Sequence, residues 1–192
     1  MTIRVLSIML LAVVAAMAGS ARAGDKLLQF DPAHSRFGFE LGLRWGQKLQ
    51  GRFGRYEGQV SELPDGRHQV RLRLFTDGVE IEGHPRYSEW ARGPSFFDVV
   101  KYQAVEFVSE PYAADLLRRG GKLAGTLTLR GVHRLEVLEV AAADCPRPAR
   151  DCDVVATGRI SRADYGMDDW KLAVADRVTF VLRTRLRENA AP

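Results

Sequence analysis

The sequence predicts an all-β protein, with about eight antiparallel strands in a closed barrel or a sandwich and one or two short helices. Apolar and polar residues alternate along most of the chain after Asp25, which is the pattern of strands with one buried face. Turn-forming residues such as Pro64-Asp65-Gly66 separate these runs at hairpin spacing. The closed barrel is favoured because many of the runs carry arginine-rich outer faces.

Four alternating runs predict strands most clearly, at residues 36–44, 69–74, 123–130 and 177–187. Weaker runs fill the gaps at residues 52–61, 104–109, 135–141 and 154–161. Residues 83–100 break the alternation and contain Pro85 and Pro94. That segment predicts one or two short helices that cross the barrel between strands.

The N-terminus has the three parts of a cleavable secretory signal. A basic Arg4 precedes an apolar run over residues 5–18, and small residues flank Arg22 in Ala21-Arg22-Ala23. We expect residues 1–23 to be a signal peptide cleaved after Ala23, and residues 24–192 to be one domain. A single N-terminal membrane anchor is the alternative.

The charges give no electrostatic signature of nucleic-acid binding. The chain has 28 Lys and Arg against 24 Asp and Glu, and two of the arginines, Arg4 and Arg22, belong to the leader. The remaining charges are spread along the chain rather than gathered in one basic stretch. We therefore expect no nucleic-acid partner.

Cys145 and Cys152 are the only cysteines, and they flank a segment with two prolines that reads as a loop. In an oxidising compartment this spacing predicts a disulfide that clips the loop. A metal pair or a redox couple is the alternative, but the spacing is not C-x-x-C and no histidine is close in sequence.

Patterns typical of catalytic or metal sites are absent. No two histidines have metal-ligand spacing, there is no G-x-S-x-G, and the acidic residues after Ala163 lack the EF-hand pattern. His34 and Ser35 are adjacent, so on a strand they point to opposite faces and cannot act together as base and nucleophile. We expect no catalytic residues, no metal and no enzymatic activity, with His34 or Ser35 satisfying backbone groups where the strand begins.

The expected interior is apolar and rich in aromatic side chains, including Phe37, Phe39, Phe107 and Phe180. An eight-stranded barrel is just wide enough for packed side chains or for one slender ligand. From the residues alone, a filled core and a ligand-binding lumen both remain open.

Five motifs, in order and spacing, together resemble the YceI-like family of polyisoprenoid-binding proteins. The resemblance covers roughly residues 28–187, nearly the whole expected mature chain. The motifs are Phe30-Asp31-Pro32-Ala33-His34-Ser35, Gly51-Arg52-Phe53, Ser95-Phe96-Phe97-Asp98-Val99, Gly125-Thr126-Leu127-Thr128-Leu129-Arg130-Gly131-Val132 and Ile160-Ser161-Arg162-Ala163-Asp164-Tyr165-Gly166-Met167.

The resemblance implies an eight-stranded antiparallel lipocalin-like β-barrel, exported to the periplasm, that holds an isoprenoid quinone or a polyprenyl lipid and no other cofactor. Side chains on the inward phase of the strands would line the lumen. These are Phe37, Phe39, Leu41, Leu72, Leu74, Phe107, Leu127, Leu129, Ile160, Phe180 and Leu182.

The chain departs from the family pattern where the head group of such a ligand is expected to bind. Family members usually carry Arg-Asp-x-His-Leu-Arg before the Phe-Phe-Asp motif, whereas this chain has Ser88 and Trp90 in place of the Asp and the His. Arg92 keeps its type. The candidate head-group contacts are therefore His34, Trp90 and Arg92.

The first hypothesis is a periplasmic carrier or sequestering protein for an isoprenoid lipid. The second is an envelope-stress or assembly factor with a filled barrel that binds a protein partner. An enzyme acting on a lipid in the lumen is a third, with only His34, His84 and Asp98 as unmatched candidates. Transient contact with a membrane surface and a homodimer are left open.

Overall fold

The computed structural model describes residues 26–187, which form a curled antiparallel sheet of twelve strands with two short helices. The strands are β1 (Lys26–Gln29), β2 (Arg36–Leu43), β3 (Lys48–Phe53), β4 (Tyr56–Glu62), β5 (Arg67–Phe75), β6 (Val79–Ile81), β7 (Ala104–Ser109), β8 (Tyr112–Ala113), β9 (Gly121–Leu129), β10 (Val132–Val140), β11 (Val154–Ser161) and β12 (Val174–Thr184). The helices are α1 (Pro85–Arg92) and α2 (Leu116–Arg119). Among these residues no helix has the length and apolarity to cross a membrane.

The all-β class is confirmed, while the expected count of eight strands differs from the twelve observed. The difference arises because three long strands are kinked. β1 pairs antiparallel with β4, and β2, which continues β1, pairs antiparallel with β3. In the same way β5 pairs antiparallel with β4, and β6, which continues β5, pairs antiparallel with β3. When each kinked pair is taken as one strand and the two-residue β8 is set aside, eight strands surround the interior. The pairing of β2 with β12 closes the ring.

The first kink lies in the turn between β1 and β2. The Asp31 carboxylate accepts a hydrogen bond from the Ala33 backbone N–H at 2.9 Å, and the Asp31 carbonyl accepts one from the Ser35 N–H at 2.8 Å. A second kink at Gly54 divides the expected strand 52–61 into the end of β3 and most of β4. Local turn chemistry thus interrupted strands whose apolar alternation continued across the break.

The expected hairpins form where turn residues were found. Leu129 pairs with Val132, and the two residues between them, Arg130 and Gly131, have φ values of 51° and 75°. Two consecutive positive φ values are typical of the tight turn whose twist matches that of its strands. β7 and β11 have the bounds that the sequence predicted.

The strand phase was predicted correctly, because all eleven side chains expected to face inward are buried. Phe39 lies among the rings of Phe53, Phe97 and Phe180, at centroid distances of 5.7, 5.7 and 6.4 Å. Phe39 also pairs across the sheet with Gly51, whose missing side chain leaves room for the ring. A wide aromatic ring therefore fits because the neighbouring strand supplies a glycine.

The upper end of the barrel, where the β2–β3 turn lies, is covered by α1 and by the segment between β11 and β12. Pro85 starts α1 inside the segment predicted to be helical. Arg162, 2% exposed, donates hydrogen bonds to the carbonyls of Met167 at 2.5 Å and Ala175 at 3.0 Å. This buried guanidinium therefore ties the covering segment to the start of β12.

The lower end carries α2, which the sequence analysis did not predict, and the loop between β10 and β11. Cys145 and Cys152 form the expected disulfide in that loop. The Asp153 carboxylate next to it accepts a hydrogen bond from Arg185 at 2.5 Å and lies 3.5 Å from Arg183. These contacts hold the end of the loop against the last strand.

We expect Gly51→Ala to lower the free energy of unfolding by about 1–3 kcal/mol, because a Cβ there would sit 2.2 Å from Cζ of Phe39, whose ring is enclosed. Urea unfolding measures the change. In the control, Gly42→Ala, the new Cβ would lie 3.4 Å from Ala175 and should cost much less. Equal stability of the two variants would contradict this packing.

We expect the protein to lose stability on acidification as Asp153 is protonated. The hydrogen bond and charge of Arg185, with Arg183 beside it, lower the pKa of Asp153 below its ordinary value of 3.8. Since the folded-state pKa is lowered, the stabilisation is complete above the unfolded-state pKa and is lost as pH falls through the folded-state value. Asp153→Asn should flatten the fall in unfolding free energy below about pH 4, whereas Asp144→Asn, an exposed change in the same loop, should leave it steep.

Candidate functional site

The lower end of the barrel opens into a cavity of about 460 Å³, which we call the mouth. Core residues of β1, β4 and β11 form its apolar wall, and α2, the disulfide loop and the end of β12 form its rim. The mouth is lined by Leu28, Phe30, Val60, His68, Tyr112, Ala114, Asp115, Leu117, Arg118, Pro146, Arg147, Pro148, Ala149, Arg150, Val154, Thr184 and Leu186.

Backbone hydrogen bonds fix the segments of the rim. The Ala143 N–H donates to the Leu117 carbonyl at 3.1 Å, which joins the disulfide loop to α2. The Leu186 N–H donates to the Ala149 carbonyl at 2.7 Å, and Leu186 also bridges to Phe30. Because the disulfide and these hydrogen bonds constrain the loop, the loop arginines are held beside the apolar wall of the mouth.

A second cavity lies deeper in the barrel and is much smaller, about 30 Å³. Its apolar lining includes Leu72, Phe107, Leu127, Ile160 and Phe180, all expected lumen residues. A single water molecule needs roughly 10–15 Å³ of such space. The interior above the mouth is therefore nearly filled by its own side chains.

The two cavities are neighbours along β12. Leu182 lines the inner cavity, and Thr184, two residues further on and on the same face of the strand, lines the mouth. Two residues along a strand span about 6–7 Å. The inner cavity and the mouth therefore border on successive layers of inward side chains.

Positive charge exceeds negative charge around the mouth. Among its described lining residues, three arginines face a single carboxylate, Asp115. Asp115 pairs with Arg119 at 2.9 Å, and Arg147 pairs with Asp151 at 2.6 Å. The hydrogen bond and charge of Arg147 lower the pKa of Asp151.

Tyr112 belongs to the apolar part of the mouth wall. Burial raises the pKa of Tyr112 to about 12, so its hydroxyl is neutral at physiological pH. The His68 ring meets the Tyr112 ring edge-on at 5.9 Å. The mouth thus combines apolar side chains, a neutral tyrosine hydroxyl and guanidinium groups.

The three candidate head-group residues are not brought together, and none of them lines the mouth or the inner cavity. His34 lies in the turn after β1, with Nδ1 2.5 Å from the Asp31 carboxylate. Trp90 and Arg92 lie on α1 at the upper end, where Arg92 donates to the Val79 carbonyl at 2.9 Å. Their contact with a head group stays a prediction.

Trp90 belongs to an aromatic stack at the upper end. The rings of His84, Tyr87, Trp90 and Trp170 follow one another at centroid distances of 5.1, 5.3 and 5.9 Å. Trp90 and Trp170 are about half exposed. None of these four rings lines the mouth.

The Ser35–His34–Asp31 sequence does not form a catalytic triad. The Ser35 hydroxyl donates to the Arg185 carbonyl at 3.2 Å and accepts from the Arg185 N–H at 3.1 Å, as expected for a residue that satisfies backbone groups. His34 is paired with Asp31 in the exposed turn. A nucleophile and its base therefore do not meet here.

The residues of the mouth were not among the site residues predicted from the sequence. Arg118 lies on the four-residue α2, and Arg150 lies in the loop that the disulfide closes. The available signals were the apolar-then-basic run Leu116-Leu117-Arg118-Arg119 and the arginines between the two cysteines. Neither signal predicts that both segments reach the same end of the barrel.

Comparison of the sequence with known proteins gives a match to a family model and two distant curated relatives. The YceI-like domain model matches residues 28–186. The UPF0312 protein VPA0850 of Vibrio parahaemolyticus is 26% identical over 161 residues, which cover 81% of this chain and 84% of the relative.

Solved structures share the fold. Burkholderia cenocepacia BcnA is similar with a TM-score of 0.64 and 22% identity, covering 81% of this chain and 98% of that one. A polyisoprenoid binding domain from Saccharophagus degradans has a TM-score of 0.59 and 16% identity, covering 84% and 98% of the two chains. The fold and the match to the family model over nearly all of the described residues agree: this chain belongs to the YceI-like family.

Proposed function

We propose that this protein binds an isoprenoid lipid, whose apolar chain enters the barrel through the mouth. The observation that carries the proposal is an apolar cavity of about 460 Å³ at one end of a barrel whose other end is covered. The Saccharophagus degradans neighbour, a polyisoprenoid binding domain, supports the choice of ligand class. The proposed ligand class includes isoprenoid quinones and polyprenyl lipids.

Burial of apolar surface supplies the binding energy. Moving an isoprenoid chain out of water gains about 25 cal/mol for each Å² of apolar surface removed. The inner cavity is only about 30 Å³, so a long chain requires the inward leucine and phenylalanine side chains to change rotamer. Part of the gain is therefore spent on opening the packed interior.

A carrier or sequestering role in the periplasm follows from the same proposal, with no chemistry done on the lipid. The Ala21-Arg22-Ala23 pattern behind an apolar run supports export, and the disulfide suits an oxidising compartment. The half-exposed Trp90 and Trp170 are the proposed place of a transient membrane contact, since tryptophan is enriched at membrane interfaces. The homodimer stays a prediction.

The packed interior favours a second candidate, an assembly factor that binds a protein partner while its barrel remains filled. Lipid uptake separates the two candidates. A protein that takes up neither polyprenol nor quinone, yet captures one partner reproducibly by cross-linking in the cell envelope, supports the second candidate and rejects the first.

Ala114→Trp should reduce uptake of a long-chain polyprenol at least about tenfold, because an indole would fill the mouth from an exposed position on its rim. The protein is incubated with polyprenol in detergent, and native mass spectrometry then measures the fraction of protein that carries polyprenol. Ala113→Trp is the matched control, since Ala113 is also exposed but does not line the mouth. Equal uptake by both variants would place the entrance elsewhere.

Cell fractionation tests the location. The full chain should be released by osmotic shock at the mass of residues 24–192 with Cys145 and Cys152 oxidised, whereas a chain without residues 1–23 should stay in the cytoplasm. Membrane-bound protein of full-length mass would instead support the N-terminal anchor.

A further inference from the structure

We infer that the mouth recognises an anionic head group, and specifically a phosphate, so that the ligand is a prenyl phosphate rather than a neutral quinone. This inference rests on the proposed function, because it assigns the head group of the lipid whose chain enters the barrel. The arrangement of charges around the mouth carries it.

Three carboxylates near the mouth are already paired with arginines. Asp115 pairs with Arg119, which does not line the mouth, and Asp151 pairs with Arg147. Asp153, behind the rim, is held between Arg183 and Arg185. These three carboxylates therefore have their charge partners within the protein.

Arg118 and Arg150 are left with little to neutralise them. Within residues 26–187 neither has a carboxylate oxygen in ion-pair range, and the bond that Arg150 makes is a 3.4 Å contact from Nη1 to the Arg187 carbonyl. The two arginines come from different segments, α2 and the disulfide loop, yet both line the same cavity. Two guanidinium groups thus face a space that has room for a further group.

The apolar wall of the mouth indicates that the group bound by the two arginines is attached to an apolar chain. Leu28, Phe30 and Val60 are buried core residues and form the deep side of the same cavity. A molecule that satisfies both parts of the mouth has an apolar chain directed into the barrel and an anion at the rim.

Phosphate fits this rim better than a carboxylate or a quinone. A guanidinium offers a planar fork of donors that matches phosphate oxygens, and charge-assisted bonds of this kind are about twice as strong as neutral ones. A phosphate monoester carries up to two charges and three terminal oxygens, so two arginines can bind it together. A quinone carbonyl has no charge to balance them, and a carboxylate balances only one.

The test compares geranylgeranyl phosphate, geranylgeraniol, a fatty acid of similar chain length and inorganic phosphate, by calorimetry on the full mature protein. The double variant Arg118→Gln, Arg150→Gln removes the two guanidinium groups. Arg86→Gln, Arg177→Gln is the control, because it makes the same change in net charge at exposed positions away from the mouth.

The wild type and the control should bind geranylgeranyl phosphate at least about tenfold more tightly than geranylgeraniol or the fatty acid, with a preference that weakens as salt rises. The double variant should bind the phosphate and the alcohol within about threefold of each other while keeping the affinity for the alcohol. Inorganic phosphate alone should bind at least about a hundredfold more weakly, because it has no chain to bury.

Each other outcome has a distinct meaning. Equal affinity of the wild type for the phosphate and the alcohol overturns the head-group assignment but leaves the proposed function intact. Tight binding of inorganic phosphate overturns the lipid as the source of the anion. If no prenyl compound binds at all, the proposed function itself fails.

Discussion

The pairing of β2 with β12 closes the sheet, and the rest of the structure depends on that closure. It brings the last described strand, β12, against β2 and so joins the C-terminal part of the sheet to its N-terminal part. With eight strands around it, the interior is only about as wide as packed side chains. Phe39 then fits only because Gly51 faces it, and the inward residues leave an inner cavity of about 30 Å³.

The two ends of the closed barrel differ, because the upper end is covered and the lower end is open. At the upper end, α1 and the buried Arg162 guanidinium hold a cover in place, with Arg162 bonded to carbonyls of the covering segment. At the lower end, the disulfide and the Ala149–Leu186 hydrogen bond fix the disulfide loop at the rim of the mouth, and the loop leaves the mouth open. This asymmetry places the apolar opening at one end and gives the proposed lipid a single orientation, with its head at the rim.

The candidate site was only partly predictable, and the reason is the range of the interactions. The inward strand residues, such as Phe37 and Leu182, follow from a period of two within one strand, and all eleven of them are buried. The family resemblance points to His34, Trp90 and Arg92, but His34 lies in the turn after β1, whereas Trp90 and Arg92 lie on α1 at the upper end. Arg118 and Arg150 are 32 residues apart in sequence and line one cavity from different segments, a juxtaposition that no local pattern encodes.

The sequence by itself determined the all-β class, the phase of the strands, the hairpin turns and the disulfide, because each is set by neighbouring residues or by one pair of cysteines. Only the tertiary structure decided that three strands are kinked, that the interior is nearly full and that one end is open with an arginine rim. Turns such as Asp31-Pro32-Ala33-His34 can bend a strand while its apolar alternation continues, so the pattern hides the kink. The packing of side chains from eight strands and the meeting of α2 with the disulfide loop depend on distances that arise only when the ring closes.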